Sequence, residues 1–424
     1  MSLGLRAGSP LNALFGLFTL HGSRKLKELA DHARAYAQHH HIEAAFRSYE
    51  TQRGWHIVFH PAAPEIMASL QGSSVILDAR TLEAGPGYHA FVVGFLDYLT
   101  EHHQWTWEVQ SAPRHLGDDT GYAQDRDFAA LQTLMAGEFT AMCHGLVELE
   151  AGDHSPQNVW LPQLFDLATD DFAATSLGFR DRAFFAAPNP DAFFPWWEGG
   201  VTAQTVKNLA LSKMWLDVAW TPPANAREQQ DLQTCRLLID RARVLGATFA
   251  DDQGSDDIDS LLCGEAVGAD GIGYLRQDTW YLETGGWWIA LSTGYRAELD
   301  TDRQTWSLLS DDRGVYMQSY FFEDARAHLD WPDKLSDTYS EYLRFKTDAY
   351  WAVLQSGEME AEGDEGPWFV WEGIYSSLTG SARITLVSCY QNDAAWAEKV
   401  LRSVRPERDS PMITLDPVRG PEEL

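Results

Sequence analysis

Thr279-Trp280-Tyr281-Leu282-Glu283-Thr284-Gly285-Gly286-Trp287-Trp288-Ile289-Ala290-Leu291 is the stretch whose reading decides the fold class of this chain. Thr279–Glu283 and Trp287–Leu291 are short β-prone runs, and Gly285 between them supplies the positive φ that a tight hairpin turn needs. The pattern predicts an antiparallel hairpin. Further on, Thr305–Ser310 and Gly314–Phe322 flank the turn-forming Asp311-Asp312-Arg313-Gly314. There Val315, Met317, Ser319 and Phe321 alternate with Tyr316, Gln318, Tyr320 and Phe322. A period of two predicts strands with one face on a core, and the four strands are expected in meander order.

Toward the C-terminus, a polar helical stretch is expected over Trp331–Lys346. Strands are expected over Asp348–Gly357, Trp368–Ser376 and Ser381–Tyr390, followed by a helix from Asp393 to Val404. In that helix Trp396, Val400, Leu401 and Val404 share a face, so it should lie on the sheet. This element order, with the closing helix Ala394-Ala395-Trp396-Ala397-Glu398-Lys399-Val400-Leu401-Arg402-Ser403-Val404, resembles the PsbP-like and DcrB-like α/β/α sandwich domains over roughly residues 275–405. The resemblance implies a binding or chaperone module, of the kind that includes adaptors for hydrophobic segments of secreted bacterial effectors.

Toward the N-terminus, Ser23 can cap a helix carrying Leu26, Leu29 and Ala33 on one side, ended by His39, His40 and His41. A second hairpin is expected over Glu43–Thr51 and Trp55–His60, then a strand over Ser74–Ala79. Gly54-Trp55-His56-Ile57 echoes Gly286-Trp287-Trp288-Ile289, too short a match to establish a repeat. Gly85-Pro86-Gly87 opens a helix reaching Thr100, Trp105–Val109 reads as a strand, and Phe128–Leu149 reads as a long helix. Phe184-Phe185 reads as a strand, and Phe193-Phe194-Pro195-Trp196-Trp197 as core packing or an exposed hot spot. Helices over Thr202–Ala219 and Ala226–Gly246 precede Asp251–Asp259, the expected linker. The expectation is an α+β chain of two domains, with antiparallel sheets packed with helices. Residues 1–250 form the first domain, 266–407 a PsbP-like second, and 408–424 a mobile tail.

Composition narrows the function classes. At 424 residues, 45% of them hydrophobic and 22% charged, the chain is long enough for two full cores. Its 62 acidic residues against 32 Lys and Arg give a net charge of −30, which repels nucleic acid and anionic membranes. Such charge serves solubility, or binding of a basic partner. Cys143, Cys235, Cys263 and Cys389 fit no metal or redox spacing, so reduced, buried thiols and a cytoplasmic location are expected. The apolar run Leu11–Leu20 is too short for a membrane span and lacks a good signal-peptidase site.

The polar loop Asp118-Asp119-Thr120-Gly121-Tyr122, with Asp125 and Asp127 behind it, is the most informative candidate site. Near the start of a long helix Asp125 or Asp127 is favourable to the macrodipole, which is a sufficient structural explanation. Their spacing departs from that of a calcium loop, and His39–His41 have no further ligand, so no metal or other cofactor is expected. As a partner-binding surface the candidates are Asp118, Asp119, Tyr122, Asp125 and Asp127, together with Glu83 and His89. Zinc-protease, nucleophile-elbow, phosphate-loop and paired-cysteine motifs are all missing from the sequence. The expectation is a bacterial binding protein that neutralises a basic partner, in the manner of an immunity protein blocking a toxin. A chaperone or adaptor for a secreted effector, and a hydrolase using the acidic residues, are the alternatives.

Overall fold

The computed structural model describes residues 4–10, 18–72, 74–109, 117–148, 157–162, 172–250, 254–268, 270–276, 278–283, 286–292, 295–300, 305–310, 312–321, 340–346, 350–359, 368–377, 380–406 and 417–418. It is an α+β structure of sheets packed with helices. The chain divides into two compact units. Met1–Pro162, Asp170–Val218 and Gln230–Gly273 form the first, while Ala219–Gln229 and Tyr274–Leu424 belong to the second.

In the first unit the sequence runs β1 (Gly4–Pro10), α1 (Phe18–His39), β2 (Arg47–Thr51), β3 (Gly54–Val58), β4 (Ile66–Gln71), β5 (Ser74–Arg80), α2 (Pro86–His103), β6 (Gly117–Asp118), α3 (Tyr122–Asp125) and α4 (Phe128–Glu148). Short strands β7 (Gln157–Asn158), β8 (Ala173–Thr175) and β9 (Gly178–Arg180) lead to α5 (Arg182–Ala186), α6 (Pro190–Phe193), α7 (Ala203–Leu216), α8 (Ala226–Val244), whose residues up to Gln229 belong to the second unit, and α9 (Ser255–Leu262). The first six strands form one antiparallel sheet in the order β2-β3-β4-β5-β1-β6. Helix α1 packs on β3, β4 and β5, and its buried Leu26, Leu29, Ala30, Ala33, Tyr36 and Ala37 recur at the three- and four-residue spacing of one helical face. Tyr36 Oη donates to the Phe91 carbonyl of α2 at 3.2 Å, so the two helices share a hydrogen bond as well as a core.

A second core of this unit gathers on α4. Leu131, Met135, Phe139 and Cys143, one turn apart, meet Phe185, Phe193 and Phe194. Phe139 stacks on Phe193 with centroids 4.2 Å apart, and Trp196 is fully buried, so the aromatic block is packing. Phe184-Phe185, read as a strand, lies in α5, because Asp181 accepts the Phe184 amide at 2.8 Å and starts a helix. The expected linker also differs. Ser255–Leu262 is α9, begun by Gly254 in the left-handed region and favoured by Asp256 and Asp257 in its first turn; residues 251–253 lie outside the described set. Trp105–Val109 makes only an isolated bridge, Glu108 with Gly8.

The second unit holds β10 (Asp278–Glu283), β11 (Trp287–Ser292), β12 (Arg296–Asp300), β13 (Thr305–Leu309), β14 (Arg313–Phe321), β15 (Ser340–Lys346), β16 (Tyr350–Met359), β17 (Trp368–Ser377), β18 (Gly380–Ser388), α10 (Ala394–Ser403), β19 (Arg405–Pro406) and β20 (Pro417–Val418). The two expected hairpins are present, but in different sheets. β10 and β11 lie in β19-β11-β10-β20, whereas β13 and β14 lie in β12-β13-β14-β18-β17-β16-β15. Ser340–Lys346, within the stretch read as a helix, is a strand paired along β16; residues 331–339 lie outside the described set. Pro417 and Val418 of the expected mobile tail pair with Tyr281 and Trp280.

The core of the second unit lies on one face of the seven-stranded sheet. Val315 and Met317, Ala352 and Leu354, Trp371 and Tyr375, and Ile384 and Leu386 face α10 residues Ala397, Val400 and Leu401 in one cluster. Tyr375 Oη donates to the Leu401 carbonyl at 2.6 Å and fixes α10 on the sheet. An ionic network ties Ala219–Gln229 into this unit. Arg313 donates to both oxygens of Asp393 at 2.8 Å and to Glu228 at 2.7 Å, Asn225 donates to Asp393 at 2.9 Å, and Arg227 donates to Asp312 at 2.9 Å. Burial alone would raise the Asp393 pKa, but the bonds from Arg313, Ser388 and Asn225 hold it below the ordinary carboxylate value.

Candidate functional site

The loop singled out by its carboxylates sits against the N-terminal end of α2 in the first unit. Gly85 enters that helix at φ 103, and a Cβ there would lie 2.7 Å from the Phe194 Cβ, so only glycine fits the turn. Pro86 follows at the first helical position, where its missing N–H costs nothing. One turn later His89 is wholly buried. Its Nδ1 is 2.8 Å from Thr81 Oγ1, and its Nε2 is 3.1 Å from Thr120 Oγ1 and 3.3 Å from Asp118 Oδ1. The Asp118 carboxyl is bonded on both oxygens. Oδ1 accepts from the Thr120 amide at 2.8 Å and hydroxyl at 2.7 Å, and Oδ2 accepts from the Ala123 amide at 2.6 Å.

These bonds share one set of protons. With the Thr120 hydroxyl donating to Asp118, His89 Nε2 must donate to Thr120, and in the neutral ring Nδ1 then accepts from Thr81. Burial would raise the Asp118 pKa, but His89, the Ala123 amide and Thr120 outweigh it and hold the carboxyl well below its ordinary 3.8. Acyl transfer needs a histidine that takes the hydroxyl proton while a carboxylate orients its far nitrogen. Here the far nitrogen is on Thr81, and carboxyl and hydroxyl crowd the same side of the ring. The arrangement braces a loop.

Of the residues named from sequence, the structure brings His89, Asp118 and Tyr122 together; the His89 and Tyr122 rings are 6.0 Å apart. Asp118 and His89 are buried, which corrects the expectation that they face a partner: their polar atoms are spent inside. Asp119, Asp125 and Asp127 are exposed, and Asp127 caps α4 by accepting the Ala130 amide at 3.0 Å. Tyr122 is half-buried, with the Arg126 guanidinium 5.9 Å over its ring. Glu83, on the turn before α2, lies 3.7 Å from Arg80 and takes no part in the His89 bonds. Burial raises its pKa. Thr81 and Thr120 are the partners that sequence reasoning missed. Thr120, two residues after an aspartate, carries the signature of a local Asx turn, whereas nothing local marks Thr81.

Among the described residues no group of His, Cys, Asp and Glu could hold a metal ion, and no helix is long and apolar enough to cross a membrane. Cys143 and Cys235 are buried as expected, but Cys263 and Cys389 are exposed. Fold and site together define an α+β protein of two units with an acidic, internally braced loop. Comparison with protein-family models, curated proteins and solved structures found no match to this chain.

Proposed function

We propose that the protein works by binding a basic partner protein in the cytosol, as an immunity protein does when it covers a toxin. The observation that carries this reading is the loop itself: Asp119 and Asp125 stand exposed on a turn held from below by the Asp118, Thr120 and His89 bonds. A loop fixed in advance loses little entropy on association, and exposed carboxylates on a molecule of charge −30 attract a basic surface over a long range. The braced histidine favours this reading over a hydrolase, since its nitrogens are engaged by Thr81 and Thr120.

The test begins with capture of partners from the native host and continues with association rates measured across a salt series. Rates should fall steeply with salt, and Asp119→Lys with Asp125→Lys should slow association by about tenfold or more while dissociation changes little. Association indifferent to both salt and charge reversal would remove the loop from the interface.

A further inference from the structure

The second unit carries a groove that the reading of the acidic loop leaves unused. It lies on the face of the seven-stranded sheet turned away from the α10 core, has a volume of about 390 Å³, and is lined by Thr305 of β13, Tyr316 and Gln318 of β14, Arg383, Thr385 and Val387 of β18, and Trp368 of β17. That volume falls within the range of small-molecule sites, about 300–1,000 Å³. All four strands are interior to the sheet, so their backbone groups are already paired and no edge is offered to a peptide strand. Whatever binds here is read by side chains.

The polar groups are placed deliberately. Glu372, beside Thr385 in the register, is 2% exposed yet carries a carboxyl, which accepts from Arg383 Nε, Gln355 Nε2 and, at 3.4 Å, the Thr385 hydroxyl. Arg383 is half-exposed, and Nε is the one guanidinium nitrogen that bonds to Glu372. Gln318 Nε2 donates to Thr305 Oγ1 at 2.8 Å, which leaves its carbonyl as an acceptor at the lining. Tyr316, 37% exposed, and half-buried Trp368 add two aromatic rings.

Charge decides the class of ligand. Arg383 is neutralised by Glu372, and the chain as a whole carries −30, so an anion meets no uncompensated cation and an unfavourable field. A cation would approach the Arg383 guanidinium while Glu372 is already engaged. A neutral ligand with an apolar ring face and a rim of hydroxyls matches the lining: aromatic rings for its C–H face, and amide, hydroxyl and guanidinium for its rim. We propose that this groove is a binding site for a neutral pyranose sugar.

Saturation-transfer NMR on the full chain tests this with glucose, galactose, mannose, N-acetylglucosamine, cellobiose and maltose, against glucuronate, glucosamine and indole as controls. Transfer to the ring C–H protons of at least one neutral sugar is expected. Trp368→Ala and Tyr316→Ala should each weaken its affinity by about tenfold or more. Gln318→Leu, a milder change, guards against loss of fold in the aromatic variants and should also weaken binding, with near-UV circular dichroism unchanged. Silence from all six neutral sugars would overturn the proposal. So would transfer that persists undiminished in the folded Gln318→Leu and aromatic variants, or binding confined to indole or the charged sugars.

Discussion

Glu83 holds a carboxyl where water is scarce: its side chain is 13% exposed, and Oε2 has no hydrogen-bond partner among the described residues. Burial raises its folded pKa above the ordinary 4.5. A carboxyl shifted upward contributes stability that is present below its unfolded pKa and lost as pH rises through the folded one. At about pH 7 the wild-type residue therefore carries a cost, and Glu83→Gln, which keeps the shape, should stabilise the first unit. At about pH 4 the gain should vanish, and urea unfolding at both values checks it. Equal effects at the two pH values would mean that desolvation of the carboxylate is not what strains the site. At this scale the sequence disclosed identities and little else. Asp118 and His89 stand out by type, but their burial follows from Thr81 and Thr120, and the Thr120 contact with His89 spans 31 residues.

Arg313 at the start of β14 and Asp393 just before α10 bind the first turn of α8 through Glu228 and Asn225. Asp393 is fully buried, so Asp393→Ala leaves Arg313 with Glu228 alone and should cost about 3 kcal/mol in denaturant unfolding. In a double-mutant cycle with Arg313→Met, the two losses should be strongly non-additive. A cost below about 0.5 kcal/mol would show that the network is ornamental to the second unit. Elements were legible where local chemistry is decisive. The hairpin β10–β11 announces itself through its paired aromatics, with Gly286 in the left-handed region at its turn and Gly285 outside the described residues, and α4 through its four-residue apolar spacing. β15 was misread because a polar segment became a strand only through the length of β16 beside it, a tertiary gain that no local propensity encodes. α9 was misread in the opposite sense, its aspartates taken for a solvated run when two of them open a helix.

For the whole molecule, a charge of −30 implies self-repulsion that salt relieves, while salt also weakens exposed ion pairs. The buried pairs, Lys213 with Asp217 and Asp231 and Arg313 with Asp393, are screened much less, so relief should win. The thermal midpoint should rise by roughly 2–6 °C between about 20 and about 300 mM NaCl. A flat or falling midpoint would mean that surface pairing outweighs repulsion. Division into two units was foreseeable from length, but not the assignment of Ala219–Gln229, which precedes the strands it joins. That order matters on the ribosome. Asn225 leaves the exit tunnel 168 residues before Asp393, which at about 5–20 residues per second is a wait of roughly 8–34 s. Helix α8, assigned in part to each unit, can be completed from the N-terminal side while its opening turn still lacks its partners. The nascent chain is thus exposed to chaperones and proteases at that turn for most of the synthesis of its C-terminal third.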